Sequence, residues 1–131
     1  MIVDSSALVA IVLRQQGYEP VLEALLGAPG AAIGAPTLAE ATIVLSARLD
    51  RDSRPMIARI VQELALVVVP FGAEHADEAV EAFRRFAKGR HRAGLNLGDC
   101  LTYAVASLAG EEVLCLGNDF SRTDLRLAVK A

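Results

Sequence analysis

Residues 2–9 have the sequence Ile-Val-Asp-Ser-Ser-Ala-Leu-Val, in which a short apolar run meets an acid and then a second, helix-like apolar run. We predict a strand over residues 2–4 and a helix over residues 6–13. Asp4 lies at their junction, where an aspartate can cap a helix by accepting hydrogen bonds from backbone N–H groups; Ser5 or Ser6 can do the same. A strand that passes directly into a helix is a building unit of α/β folds.

The rest of the chain continues to alternate short apolar runs with longer amphipathic ones. Pro36 favours the start of a helix, because proline suits a first turn. A β-branched run that ends at Pro70 indicates a buried strand. The predicted strands cover residues 31–35, 66–69 and 113–116, and a short last strand can form near residues 127–129. The predicted helices cover residues 18–26, 37–49, 54–64, 73–88 and 98–109, with a loop over residues 89–96.

Strands that alternate with helices and carry almost no polar residues predict a mostly parallel sheet covered by helices on both faces. We expect one α/β domain over residues 1–131, with a central sheet of four to five short strands. In sheets of this kind, ligands bind beyond the carboxyl ends of the strands. Acids at those ends are therefore candidates for a functional site.

The composition, 53% hydrophobic and 5% aromatic, is typical of a soluble globular protein. The longest apolar stretches fall short of the roughly 20 residues that span a bilayer. The N-terminus has no signal-peptide pattern, so we expect a cytoplasmic protein without a membrane partner. Cys100 and Cys115 show no zinc-ligand spacing with His75 and His91. We expect both cysteines to be small core residues with reduced thiols.

The basic residues are unevenly distributed. The net charge of −3 alone argues against a nucleic-acid partner, but five of the 13 Lys and Arg residues lie between residues 84 and 92, a stretch without acids. Two interpretations remain open. The stretch can be a solvated helix end, where cations suit the terminal carbonyls. Alternatively, Arg90, His91 and Arg92, on the loop before Asp99, can contact an RNA backbone.

Four acids stand at strand ends or in the first turns of the following helices: Asp4, Glu40, Asp99 and Asp119. Each has a structural explanation when it is taken alone. Thr37 and Glu40 have the spacing of a capping box. An acid such as Asp99 suits the dipole of a first turn, and Asp119 suits a turn after a strand.

The four acids are nevertheless predicted to share one side of a parallel sheet. Clustered carboxylates without Lys or Arg partners repel one another, and a divalent cation removes that cost. Hard oxygen ligands without His or Cys favour Mg²⁺, with Mn²⁺ an alternative. Such a site hydrolyses phosphodiesters through metal-activated water and needs no protein nucleophile. The chain contains no Walker loop and no glycine-rich dinucleotide motif that would favour another class.

Three stretches together resemble the VapC-type toxins of the PIN-domain family. They are Ile-Val-Asp-Ser-Ser-Ala-Leu at residues 2–8, Gly-Arg-His-Arg-Ala-Gly-Leu-Asn-Leu-Gly-Asp-Cys at residues 89–100, and Gly-Asn-Asp-Phe-Ser-Arg-Thr-Asp at residues 117–124. The middle stretch is the most specific, and the order of acids around it agrees. The resemblance covers essentially the whole chain.

The resemblance implies roles for particular residues. Asp4 and Asp99 match acids that bind the metal directly. Glu40 and Asp119 match the second and fourth acids, which bind it directly or through water. Two further residues match weaker positions of the family pattern, namely Asp124, an acid of less uniform role, and Ser6, a hydroxyl that supports a metal-bound water or phosphate. The resemblance also implies an endoribonuclease toxin, a cognate antitoxin that blocks the site, and a homodimer.

A second hypothesis is a non-catalytic PIN-like module that binds protein or RNA without cleaving it. The complete set of four acids argues against it, since an inactive member is expected to have lost one of them. A phosphate-accepting receiver domain also uses aspartates at strand ends. That fold needs an aspartate after a central strand, where this chain has Pro70.

Overall fold

The computed structural model describes residues 1–87 and 89–130. Strands and helices alternate through most of the chain, as the sequence pattern predicts. The elements are β1 (Ile2–Val3), α1 (Ser5–Leu13), α2 (Tyr18–Leu26), β2 (Ala32–Gly34), α3 (Ala35–Leu49), α4 (Arg54–Glu63), β3 (Val67–Val69), α5 (Ala73–Phe86), α6 (Leu97–Ala109) and β4 (Val113–Leu114).

The four strands form one parallel sheet in the order β3-β2-β1-β4. Ile2 in β1 lies opposite Ala32 on one side and Val113 on the other. The predicted α/β class with a parallel sheet is confirmed. The short last strand expected near residues 127–129 is reduced to an isolated parallel bridge between Leu127 and Val113.

Helices cover both faces of the sheet, as predicted. Because side chains alternate along a strand, Val3, Ile33 and Leu114 point to one face, where they join the core formed with α1 to α4. The adjacent strand residues Ile2, Ala32 and Val113 point to the other face, where they join clusters that contain residues of α5 and α6. Cys100 and Cys115 are buried free thiols, in agreement with their predicted place in the core.

The prediction of a buried strand over residues 66–69 is wrong in one respect. The strand forms, and Leu66 just before it is buried, but Val67 and Val68 are 55% and 39% exposed. β3 is the edge of the sheet, so its apolar side chains are not covered from both sides. A β-branched run favours strand backbone wherever the strand lies, and therefore does not distinguish an edge from a centre.

The helix α6 lies close to the carboxyl end of β2. A β-carbon placed on Gly34 would lie 2.9 Å from Val105 Cγ2, so glycine permits this close approach. Parallel strands present their carboxyl ends at one edge of the sheet, and α1 and α3 start there directly after β1 and β2. Within the described residues, no helix is long and apolar enough to cross a membrane.

Candidate active site

Asp4 combines a structural role with a place in the site. It is 3% exposed and caps α1, because its Oδ2 accepts hydrogen bonds from the Ser6 N–H (3.1 Å) and the Ser6 hydroxyl (2.7 Å). Its Oδ1 accepts a hydrogen bond of 2.6 Å from the Thr102 hydroxyl on α6. The Ser6 hydroxyl in turn accepts from the Leu116 N–H at 3.0 Å. The Asp4 carboxylate is therefore held from two helices.

Asp99 is the third residue of α6 and is 7% exposed. It forms a capping box with Asn96: the Asp99 N–H donates to Asn96 Oδ1 (2.9 Å), and the Asn96 N–H donates to Asp99 Oδ2 (3.1 Å). None of the hydrogen bonds among the described residues uses Asp99 Oδ1. The capping box fixes the carboxylate and leaves one oxygen for a ligand.

The electrostatics link Asp99 to the other three predicted acids. Burial raises the pKa of Asp99 from 3.8 to about 7, against the lowering effect of the Asn96 hydrogen bond, and the charges of Asp119, Asp4 and Glu40 raise it further. Burial and the charges of Asp4, Asp119 and Asp99 also raise the pKa of the Cys115 thiol to about 12. The charges of Asp4, Glu40 and Asp119 therefore act on Asp99, although Asp119 itself is exposed.

Glu40 is half-buried on α3, and its carboxylate lies against the first turn of α6. A β-carbon built on Gly98 would lie 2.5 Å from Glu40 Oε2 and 3.0 Å from Oε1. The capping box that the spacing of Thr37 and Glu40 allows does not form, because α3 begins at Ala35 with Gly34 as its cap. Thr37 is instead the third residue of α3, and its hydroxyl contacts Thr102 on α6.

The Thr37 hydroxyl oxygen lies 3.2 Å from that of Thr102, and both side chains are buried. Because Thr102 donates its proton to Asp4, it accepts from Thr37. A chain of hydroxyls thus connects α3 through α6 to Asp4. Sequence reasoning missed Thr102, although its spacing of three residues from Asp99 places both on one helix face.

The two acids of the C-terminal segment occupy different places. Asp119 is exposed on the segment after β4, and its charge acts on Asp99. Asp124 belongs to a separate cluster, in which its Oδ1 accepts from the Tyr103 hydroxyl (2.6 Å) and its Oδ2 from Arg85 Nη2 (3.5 Å). Both oxygens of Asp124 are thus engaged away from Asp4 and Asp99.

The donors at this site are carboxylate and hydroxyl oxygens. Within residues 1–87 and 89–130, no three Asp, Glu, His or Cys side chains converge closely enough to hold a metal ion by themselves. This donor set is made of hard oxygen atoms, the kind of ligand that suits Mg²⁺ or Mn²⁺. It does not fit a structural zinc site, which needs four protein ligands. The concentration of negative charge around Asp99 provides the electrostatic reason for a cation.

In the basic stretch before α6, some side chains make contacts within the protein and others are exposed. His91 is half-buried, with Nδ1 accepting from the Ala93 N–H (3.0 Å) and its ring packed edge-on against Phe86. Arg90 is exposed, with its guanidinium 5.8 Å from the centre of the Phe83 ring. Arg92 is exposed as well. Of the five basic residues in this stretch, Lys88 lies outside the described residues.

Comparison with known proteins agrees with this architecture. Residues 1–125 match the model of the PIN domain family. The chain is 50% identical over 129 residues to the protein named VapC ribonuclease Mb2004c of Mycobacterium bovis, across 95% of this chain and 91% of that protein. Ribonuclease VapC36 of Mycobacterium tuberculosis gives the same identity and coverage. The chain therefore belongs to the PIN-domain family, in its VapC group.

Two solved structures share the fold at low sequence identity. VapC20 of Mycobacterium tuberculosis, described as a Sarcin-Ricin loop cleaving toxin, matches with a TM-score of 0.78 at 20% identity over 99% of this chain and 98% of that one. A toxin-antitoxin complex from Klebsiella pneumoniae matches with a TM-score of 0.71 at 18% identity over the same shares of the two chains. Both matches support the assignment of the fold.

Proposed function

We propose that this protein is the toxin of a toxin–antitoxin pair and acts as a metal-dependent endoribonuclease. The observation that carries this proposal is that Asp4 accepts from Thr102, one turn of α6 from the buried Asp99, while the Glu40 carboxylate lies against the adjacent Gly98. Relatives that are 50% identical over most of the chain bear the name VapC ribonuclease, which supports the same activity here. We treat residues 1–131 as one nuclease domain.

In the proposed site, Asp4 and Asp99 hold Mg²⁺ directly, and Mn²⁺ can replace it. Glu40 and Asp119 complete the site directly or through water. The bound ion would supply a water of lowered pKa and stabilise the charge that develops on the phosphate. Ser6 keeps Asp4 oriented through its short hydrogen bond and supports a water or phosphate beside it. Asp124 is left out, because Tyr103 and Arg85 hold its carboxylate.

RNA is the proposed substrate, and the loop before α6 is its proposed contact. Arg90 and Arg92 are exposed on this loop and can neutralise backbone phosphates. His91 has its Nδ1 engaged by the Ala93 N–H and its ring packed against Phe86 of α5, so only its Nε2 is left for RNA. A site with concentrated negative charge needs such cations nearby, since RNA is itself an anion.

The proposed partners are a cognate antitoxin and a second copy of this chain. Homodimerisation is supported by an apolar face on α5 and α6, formed by Val80, Phe83 and Leu97, which are 69%, 48% and 73% exposed. Apolar side chains grouped in this way favour a protein contact. Val80→Lys is expected to give a monomer in size-exclusion chromatography with light scattering. Ile43→Lys, at an equally exposed position on α3, is the matched control and should leave the dimer intact.

The nuclease activity is tested with purified, antitoxin-free protein and total cellular RNA. We expect discrete fragments with Mg²⁺ or Mn²⁺, and none with EDTA or with the Asp4→Asn/Asp99→Asn double variant. Asp77→Asn, at an exposed acid on α5, should cleave like the wild type. RNA binding without any metal-dependent cleavage would favour the non-catalytic binding module instead.

A further inference from the structure

We propose that Gly98 is a positioning residue of this site: the absence of a side chain there lets the Glu40 carboxylate lie beside Asp99 at the start of α6. The proposal rests on the nuclease function above and adds a residue to it. Gly98 binds no metal or substrate in this scheme. It acts by leaving space.

The backbone at Gly98 does not require glycine. It is the second residue of a regular helix and is absent from the positive-φ glycines of the chain. Alanine is accepted at such a position and is a better helix former. The reason for glycine must therefore be sought in the neighbouring side chains.

Those neighbours belong to one residue. The three atoms nearest to a β-carbon at Gly98 are Glu40 Oε2, Oε1 and Cδ, at 2.5, 3.0 and 3.1 Å. Ordinary contact begins near 3.4 Å, so a methyl group would displace the carboxylate by about 1 Å. The obstacle is the end of a flexible side chain, which can swing away without disturbing the fold.

The position of Glu40 depends on this space. Among the described residues, no hydrogen bond or ion pair holds its carboxylate, in contrast to Asp4 and Asp99. The carboxylate lies at the N-terminus of α6, where the helix dipole favours negative charge and where Asp99 follows directly. The absence of a side chain at Gly98 therefore lets the Glu40 carboxylate lie close to Asp99.

Gly98→Ala should change the affinity for the metal without lowering the stability of the fold. Gly98→Ala is expected to unfold at the same temperature as the wild type or higher, because alanine favours the helix and the clash is relieved by Glu40. The dissociation constant for Mn²⁺ should rise roughly tenfold, which is the range seen when residues that orient a metal ligand are changed. If Gly98 merely supported the fold, Gly98→Ala would lower the stability and the metal affinity of the protein together.

The experiment is calorimetric titration of Mn²⁺ into the full chain, with thermal unfolding measured on the same samples. In the Glu40→Ala background, Gly98→Ala should lower the Mn²⁺ affinity no further, because the carboxylate that the methyl group displaces is already absent. Gly72→Ala is the matched control, since a β-carbon there meets nothing within 4 Å, and should bind like the wild type.

Unchanged Mn²⁺ affinity in a folded Gly98→Ala protein would overturn the proposal, and so would a Gly98→Ala chain that fails to fold. A tenfold loss that Gly98→Ala still causes in the Glu40→Ala background would also overturn it, because the effect would then not pass through Glu40. If the wild type binds no Mn²⁺, the proposed metal-dependent nuclease function is wrong, and the role proposed for Gly98 is wrong as well. The wild-type titration therefore distinguishes the two failures.

Discussion

Replacing Asp99 by asparagine should stabilise the metal-free protein at alkaline pH and leave it unchanged at acid pH. The pKa of the Asp99 carboxyl is about 7 in the folded chain, against 3.8 for the ordinary group that the unfolded chain exposes. As the pH rises above 3.8, the unfolded chain releases this proton first, so unfolding becomes more favourable until the folded chain also releases it near pH 7. Stability is therefore lost as the pH rises through this window.

The size of the effect follows from the pKa difference. The interval from 3.8 to about 7, at roughly 1.36 kcal/mol per unit, amounts to about 4 kcal/mol. Asparagine has nearly the same shape, can accept the Asn96 N–H bond, and does not ionise. Asp99→Asn should thus exceed the wild type by up to about 4 kcal/mol at pH 8 and match it near pH 4.

Urea unfolding in EDTA, followed for both proteins at several pH values, measures this difference. Because both chains share every other titrating group, the comparison isolates Asp99. At pH 8, Mg²⁺ at one hundred times its dissociation constant should reduce the advantage of the variant by about 2.7 kcal/mol, since a ligand bound only by the folded wild type stabilises it by that amount. Parallel stability curves for the two proteins in EDTA would refute the claim that burial and the neighbouring acids raise the pKa of Asp99.

Three further substitutions test separate parts of the site. Thr102→Val removes the hydroxyl that donates to Asp4, so it should lower the unfolding free energy by about 1–3 kcal/mol and weaken Mg²⁺ binding. Thr102→Ser keeps the hydroxyl and should retain the stability and the Mg²⁺ affinity of the wild type. Equal behaviour of the two variants would contradict this role of Thr102. Asp124→Asn should lower stability through Tyr103 but leave the calorimetric Mg²⁺ affinity unchanged, and a loss of affinity would place Asp124 in the site. Arg92→Ala should reduce the slope of log Kd for RNA against log salt by about one, whereas an unchanged slope would exclude a phosphate contact.

The arrangement of the acids could be predicted because it depends on local pattern and one topological rule. Asp4, Glu40, Asp99 and Asp119 were placed together because parallel strands end at one edge of the sheet. Two of these acids have a local structural role as well: Asp4 caps α1 and Asp99 forms a capping box. The structural and functional interpretations of these two acids are therefore compatible, since a cap engages only part of a carboxylate.

The features that escaped prediction depend on contacts between distant residues. The exposure of Val67 and Val68 follows from strand order, which composition does not encode. The hydroxyl pair of Thr37 and Thr102 joins residues 65 positions apart, so the local capping-box pattern was misleading. The hydrogen bonds of Asp124 with Tyr103 and Arg85 likewise join the C-terminal segment to α5 and α6, and no local pattern indicates them.

The most direct test of the central claim is the location of Mn²⁺ in crystals of the full chain, found by anomalous scattering. We expect a peak within coordination distance of Asp4 and Asp99, with Glu40 and Asp119 bound directly or through water, and no peak in crystals of Asp99→Asn. A well-occupied ion held elsewhere, or no ion near Asp99 at a Mn²⁺ concentration that supports RNA cleavage, would contradict the assignment of these acids as one metal-dependent nuclease site.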